Sequence, residues 1–290
     1  MAEYVLFTDS SCDLPQELAN ELGLYVLPLT VKVDEKEYAN YLDWRQISVS
    51  DFYNLLRTGH TAVTSAVNVW AYKEAMTPVL EDGKDILCMS FSSGLSNTYQ
   101  AACIAAQELR EAFPQRTILV VDTLAASLGQ GMLIYYAAME KQKGRSMEEV
   151  YQWVLENRLH LCHWFTVDDL YHLKRGGRVS AATAVLGSML QIKPVLHVDD
   201  EGHLINMDKA KGRKASLRAL VDRMEQTAIE PAQQTVFISH GDCEAEANYV
   251  ADLVRQRMGV KKVIVGPVGP VIGAHSGCGT MALFFFGTKR

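Results

Sequence analysis

Short apolar runs alternate with helical periodicities along the chain, the pattern of an α/β protein. Tyr4–Thr8 and Tyr25–Val33 predict strands. Ser50 is placed to cap a helix running to about Arg57, and Asn68 to cap another from Val69 that Gly83 stops. Ile86–Met89 is a buried-type strand feeding the polar loop Ser90–Ser96, with a helix following from about Thr98 to Phe113. Ile118–Val121 is a second such strand. It leads into a loop at Asp122–Thr123 and a long helix ending near Gly144. Ser146 and Glu149 make a capping-box pattern for the next helix.

The second half differs in character. Cys162–Val167 reads as a strand and Asp168–Lys174 as a short helix stopped by Gly176 and Gly177. Ser180 is placed to cap a helix to about Leu190. Ile192–Val198 and His203–Asp208 flank Asp199–Gly202, a good hairpin turn. Two strand–helix units follow: Val236–Ser239 with Glu244–Met258, then Val263–Val265 with a glycine-rich loop. Phe284–Phe286 closes as a strand. The change of character predicts two domains, 1–160 and 161–290. No low-complexity linker separates them, so they are expected to pack closely, and no internal repeat is visible.

Composition narrows the function. The chain has 290 residues, 48% of them hydrophobic and 21% charged, within the range of folded globular proteins. A net charge of −6 gives a nucleic-acid role no electrostatic support. No run approaches the roughly 18 apolar residues of a membrane span, and Tyr4–Phe7 is too short for a signal peptide core. The expected location is therefore the cytoplasm, with the six scattered cysteines as free thiols.

The candidate chemistry lies in five small-polar and glycine motifs: FTDSSCDLP from Phe7, TSAVN from Thr64, SSGLSNTYQAA from Ser92, LKRGGRVS from Leu173 and GPVIGAHSGCG from Gly269. They supply hydroxyls, one histidine and bare backbone, an inventory that suits holding an anionic head group. Thr64 and Ser65 can donate to an anion near a helix N-terminus, or simply cap that helix. Ser92, Ser93 and Ser96 follow a core strand, where open α/β sheets place ligands, and Gly94 allows close backbone approach. His275, with Ser276 beside it in a glycine-rich turn, can donate to a carboxylate or act as a base. Lys174, Arg175 and Arg178 make a basic turn fit for phosphate or a partner's acidic face, or for a helix C-terminus. Lys209, Lys211, Arg213 and Lys214 form a second basic run. Asp9 with Ser10 and Ser11 is either a ligand loop or an Asx turn. His160, Cys162 and His163 lack a second pair to complete a zinc site, so no metal and no cofactor are expected.

Taken in order, these motifs resemble the DegV family over essentially the whole chain. TDSSCDLP looks like its TDSxxDL opening, Thr64–Ser65 matches its TSxPS element, and SSGLSNTYQAA is similar to its SSGLSGTYxxA. LKRGGRVSAATAVLGSMLQIKPVL resembles its LxKGGRIS…G…LxIKPIL, and GPVIGAHSGCG its GPVxxAHxGxG. The resemblance implies a two-domain α/β protein with a ligand tunnel at the domain interface, binding one long-chain fatty acid. It implies a non-catalytic role, as the FakB-type subunit that presents the carboxylate to a separate ATP-using fatty acid kinase. The carboxylate-holding residues carry over to Thr64, Ser96 and His275, with Ser65 adjacent and Ser93, Gly94 and Ser276 in support. Partner docking carries over to the Lys209–Lys214 run, at Lys211 where that member type has arginine, with Arg213 and the Arg178 turn alongside. Contact with a membrane is expected to be transient at most. The chain departs from the family in TSAVN, which lacks the proline and its following serine, in SSGLSN, and at Cys278.

Burying about a dozen methylenes at ~0.8 kcal/mol each is worth roughly 10 kcal/mol before the costs of binding. A few charge-assisted donors then suffice at the head group. Two rival readings remain. Gly94–Thr98 nearly spells the nucleophile elbow GxSxG, which would make Ser96 with His275 an acyl-ester or thioester hydrolase. A regulatory small-lipid binding protein without a kinase partner is the other.

Overall fold

The computed structural model describes residues 3–168, 170–179 and 191–290. The helix expected from Ser180 to about Leu190 lies outside them. Strand β1 (Tyr4–Asp9) is buried at every position, as its apolar run requires. It pairs on both edges in a parallel sheet of order β2-β1-β6-β7, with β2 (Leu24–Leu27), β6 (Asp85–Ser90) and β7 (Ile118–Asp122). Parallel neighbours need crossovers, which run through α1 (Gln16–Glu21), α3 (Val69–Glu81) and α4 (Thr98–Ala112).

Three expectations are corrected here. The strand expected over Tyr25–Val33 is two strands, because Pro28 has no N–H for the ladder. After it the chain leaves the parallel sheet and forms β3 (Thr30–Val33), which pairs antiparallel with β4 (Lys36–Ala39) and β5 (Ala62–Ser65). Helix α2 (Val49–Arg57) is capped by Ser48, not Ser50: the Ser48 Oγ accepts from the Asp51 backbone N–H at 3.1 Å. The loop expected after Val265 contains a helix, α10 (Pro270–Ser276), begun by Pro270 at its first position and ended at Gly277.

Asn68 caps α3 by accepting from the Ala71 N–H, as expected. Ser146 and Glu149 close both halves of the capping box on α6 (Met147–Asn157).

The second half builds a six-stranded sheet, order β10-β9-β8-β13-β11-β12. Its strands are β8 (Leu161–Thr166), β9 (Ile192–Val198), β10 (Leu204–Lys211), β11 (Thr235–His240), β12 (Lys262–Pro267) and β13 (Met281–Phe286). All its pairs are antiparallel except β11–β12, whose crossover is α9 (Glu244–Met258). In the expected hairpin turn, Asp199 Oδ1 accepts from the N–H groups of Glu201 and His203. Helices α8 (Arg213–Thr227) and α9 cover one face of this sheet. A short helix, α7 (Tyr171–Arg175), follows β8.

Helix α5 (Ser127–Gln142) occupies the other face. Its apolar residues point in all directions, the signature of a helix with no solvent side, and most of it is buried. Leu128, Met132 and Ile134 share one core with Leu87 and Val121 of the parallel sheet and with Phe165, Phe237 and Phe284 of the six-stranded sheet. Gly131 lets it lie against the Cys12 carbonyl and Leu14, where a Cβ would collide.

Arg290 ties these parts together. Its buried guanidinium donates to the carbonyls of Leu161, Leu124, Asp199 and Arg158. Replacing it by methionine removes the donor to four part-buried carbonyls, so Arg290→Met is expected to lower unfolding stability by about 2 kcal/mol. A urea midpoint equal to wild type would show that these carbonyls are satisfied without it.

Candidate functional site

A cavity lies where the loops that follow β5, β6 and β7 meet the six-stranded sheet, α10 and Arg178. Its volume is about 220 Å³. Apolar side chains dominate its walls, among them Phe91, Leu95, Phe165, Val271, Ile272 and Phe284. Its polar lining includes Thr64, Ser65, Ser96, Arg178, His275 and Ser276.

Thr64 and Ser65 are the last residues of β5, an edge strand, rather than part of a helix terminus. Strand pairing of Thr64 with Val31 fixes the hydroxyl's position. His275 sits in the last turn of α10, and its Nε2 lies 2.8 Å from the Thr64 Oγ1, 211 residues away in sequence. The Nδ1 edge of the ring is buried without a partner and lies against Gly176, where a Cβ would strike it. The Ser276 hydroxyl is also buried and unpaired. Burial, reinforced by Arg178, Arg175 and His172, lowers the His275 pKa to about 4, so the ring is neutral near pH 7.

Ser96 borders the same cavity at the start of α4. Its Oγ is 2.9 Å from the Thr98 Oγ1 and accepts from the Thr98 N–H at 3.2 Å. The hydrogen bond of His275 goes to Thr64, and no carboxylate orients its Nδ1, so the bonded chain of a Ser–His–acid triad is not formed. Ser93 and Gly94 do not line the cavity. The Ser93 N–H is bound by Asp122, and Gly94 packs on Gly202 at the tip of the β9–β10 hairpin.

The three basic residues read as docking candidates are placed very differently. Arg178 is half-buried in the cavity wall, its Nε donating to the Leu95 carbonyl at 3.2 Å. Lys211 is exposed at the end of β10. Arg213 pairs with Glu246 at 2.6 Å and lies 3.9 Å from Asp168.

The Asx-turn alternative holds for Asp9. It is fully buried, caps the following 3₁₀ turn and accepts from the N–H groups of Ser11 and Phe91. Among the described residues, no group of three or more His, Cys, Asp or Glu converges as a metal site would.

Polar residues of the cavity wall that sequence reasoning missed include Ser127, Ser239 and His163. Ser127 opens α5 at φ +53° and donates to Asp13, whose pKa burial raises to about 8. Ser239 lies 3.0 Å from Ser127. His163 was weighed only against a metal site. A serine opening a helix in the segment that follows a core strand, as in Ala125–Ala126–Ser127, was the available signal.

A histidine whose pKa falls from about 6.5 to about 4 on folding binds fewer protons folded than unfolded between those values. Its contribution to stability is therefore lost as pH falls through that window. In the ligand-free protein the His275 ring is expected to titrate near pH 4 by NMR. A midpoint near the ordinary 6.5 would mean that the ring is solvated.

The sequence and the fold recur in known proteins. The DegV family model, described as "Uncharacterised protein, DegV family", matches residues 4–288. A DegV domain-containing protein of Clostridium perfringens is 46% identical over 290 residues, covering 100% of this chain and 99% of that protein. A solved structure described as fatty acid binding of a DegV family protein from Thermus thermophilus is 31% identical, with a TM-score of 0.87 and coverage of 99% and 100%. A DegV lipid-binding protein from Thermotoga maritima is 27% identical, with a TM-score of 0.87 and 99% coverage of each chain. Family model, sequence relatives and fold agree from end to end: the chain belongs to the DegV family.

Proposed function

We propose that this protein is a cytoplasmic carrier that binds one long-chain fatty acid and performs no catalysis of its own. The observation that carries the reading is a mostly apolar cavity whose polar lining includes the hydrogen-bonded pair Thr64 and His275. Apolar walls suit an acyl chain, and the hydroxyl and imidazole suit its carboxylate. The fatty-acid-binding relative at 31% identity supports the same ligand class. We assign residues 1–160 and 161–290 as the two domains, with the acid between them.

In this reading the carboxylate takes hydrogen bonds from Thr64, Ser96 and the neutral ring of His275, with Ser65 at the mouth and Ser276 behind. The chain lies along Phe165, Ile272 and Phe284. Arg178, in the wall beside Leu95, contributes positive potential to the head group, so its role moves from docking toward binding. The finer role is that of a kinase subunit: the held carboxylate is presented to a separate ATP-using protein that converts it to the acyl phosphate. The exposed Lys211 is the docking residue of this proposal.

Native mass spectrometry of freshly purified protein, followed by organic extraction, is expected to give a one-to-one adduct of a long-chain fatty acid. A clean ligand-free mass that stays unchanged after incubation with such acids would end the reading. Thr64→Val, Ser96→Ala and His275→Ala are each expected to weaken binding about tenfold, the loss of one charge-assisted hydrogen bond. Equal affinity in all three would place the carboxylate elsewhere.

A further inference from the structure

The segment Ser92–Ser96 divides its work. Ser96 borders the cavity, whereas Ser92 and Gly94 do not line it and instead meet the tip of the β9–β10 hairpin. The fully buried Ser92 hydroxyl donates to the Gly202 carbonyl at 2.9 Å and accepts from the Gly94 N–H at 3.2 Å. A Cβ on Gly94 would lie 2.9 Å from the Gly202 carbonyl, and one on Gly202 would strike the Ser92 hydroxyl. Two bare backbones thus let the hairpin turn seat directly on the loop that follows β6. Arg290 adds a second tie, donating to the Asp199 carbonyl at 3.0 Å.

The seated tip is part of the cavity wall. Val198 and Leu204 stand opposite each other across the hairpin and both line the cavity. Behind the tip, strand pairing holds the hairpin only lightly. β8 is paired with β13 along its whole length, but with β9 at Phe165 opposite Leu196 alone. β10 is the outer edge of the sheet, so no further strand opposes movement on that side. The turn itself is rigid. The Asp199 N–H donates to the His203 carbonyl at 2.9 Å, and Asp199 Oδ1 accepts from the N–H groups of Glu201 and His203, so the tip moves as one piece.

We infer that this hairpin tip is the gate of the cavity: a fatty acid enters and leaves when the tip lifts off Ser92 and Gly94, and the Ser92–Gly202 hydrogen bond latches it shut. The inference rests on the carrier reading. Lifting the tip carries Val198 and Leu204 out of the wall and breaks the ties of Ser92 and Arg290. Ser92 does not line the cavity, so its latch is the same in the empty and the loaded protein. Weakening it therefore speeds entry and release by the same factor and leaves Kd unchanged. Losing a ligand contact instead speeds release alone and weakens affinity.

Stopped-flow fluorescence on delipidated protein with parinaric acid, a fluorescent long-chain fatty acid, reads both rates. Ser92→Ala is expected to raise association and release each about tenfold, the loss of one hydrogen bond, at the Kd of wild type. Gly94→Ala, whose methyl group wedges against the Gly202 carbonyl, is expected to move both rates the same way. Ser92→Ala removes a single atom and decides the matter if the wedge prevents folding. Wild-type rates in Ser92→Ala overturn the gate. Faster release with unchanged association and a weaker Kd also overturns it, since Ser92 would then act on the ligand. In both cases the acid still binds and the carrier reading stands. Failure of the wild type to bind either parinaric or octadecanoic acid overturns both.

Discussion

The two larger sheets of this protein rest on one buried helix. The parallel sheet and the six-stranded sheet do not share a strand, and α5 supplies the apolar surface common to both. A helix that is apolar all round gains nothing from water on any side, so its burial is a driving force that brings two separate sheets to a fixed spacing. The cavity is a consequence. It opens at the N-terminal end of α5, where the small residues Ala126 and Ser127 line it, whereas Met132, Leu133 and Ile134 pack into the core further along. Small residues at one end of a core helix thus decide where the packing stops.

The polar end of that cavity is built from remote pieces. Thr64 is held by strand pairing and His275 by a seven-residue helix, and a single 2.8 Å contact joins them. Burial and three neighbouring basic side chains all act in the same direction on His275, keeping it uncharged while the site is empty. A neutral ring surrounded by positive potential is poised to accept negative charge. An entering carboxylate relieves the unfavourable field of Arg178 and Arg175 and favours protonation of the ring.

Much of this was legible in the sequence, for identifiable reasons. The buried strands β1, β6 and β7 are unbroken apolar runs, and Asn68 and Ser146 carry cap signals that depend on local residues alone. The ordered motifs pointed to the DegV family, and the structure brings Thr64, Ser65, Ser96, His275 and Ser276 to one cavity. What escaped is non-local. Strands β4 and β5 are short and half-exposed, so their pairing with β3 is invisible without tertiary context. Helix α10 looked like a loop because its glycines outweigh a start signal that rests on Pro270. Arg178 read as a surface cation because nothing in LKRGGRVS reveals that the Leu95 carbonyl waits for its guanidinium. His163 read against a metal because its real setting comes from Gly129 and Phe284, on other elements.

The central claim is that a fatty-acid carboxylate sits against His275. Solid-state NMR on protein with ¹⁵N-labelled histidine, loaded with an acid ¹³C-labelled at its carboxyl, measures this directly. The account predicts a ¹³C–¹⁵N dipolar coupling between the carboxyl carbon and the His275 ring that disappears in His275→Ala. A tightly bound acid whose carboxyl shows no coupling to that ring would contradict it.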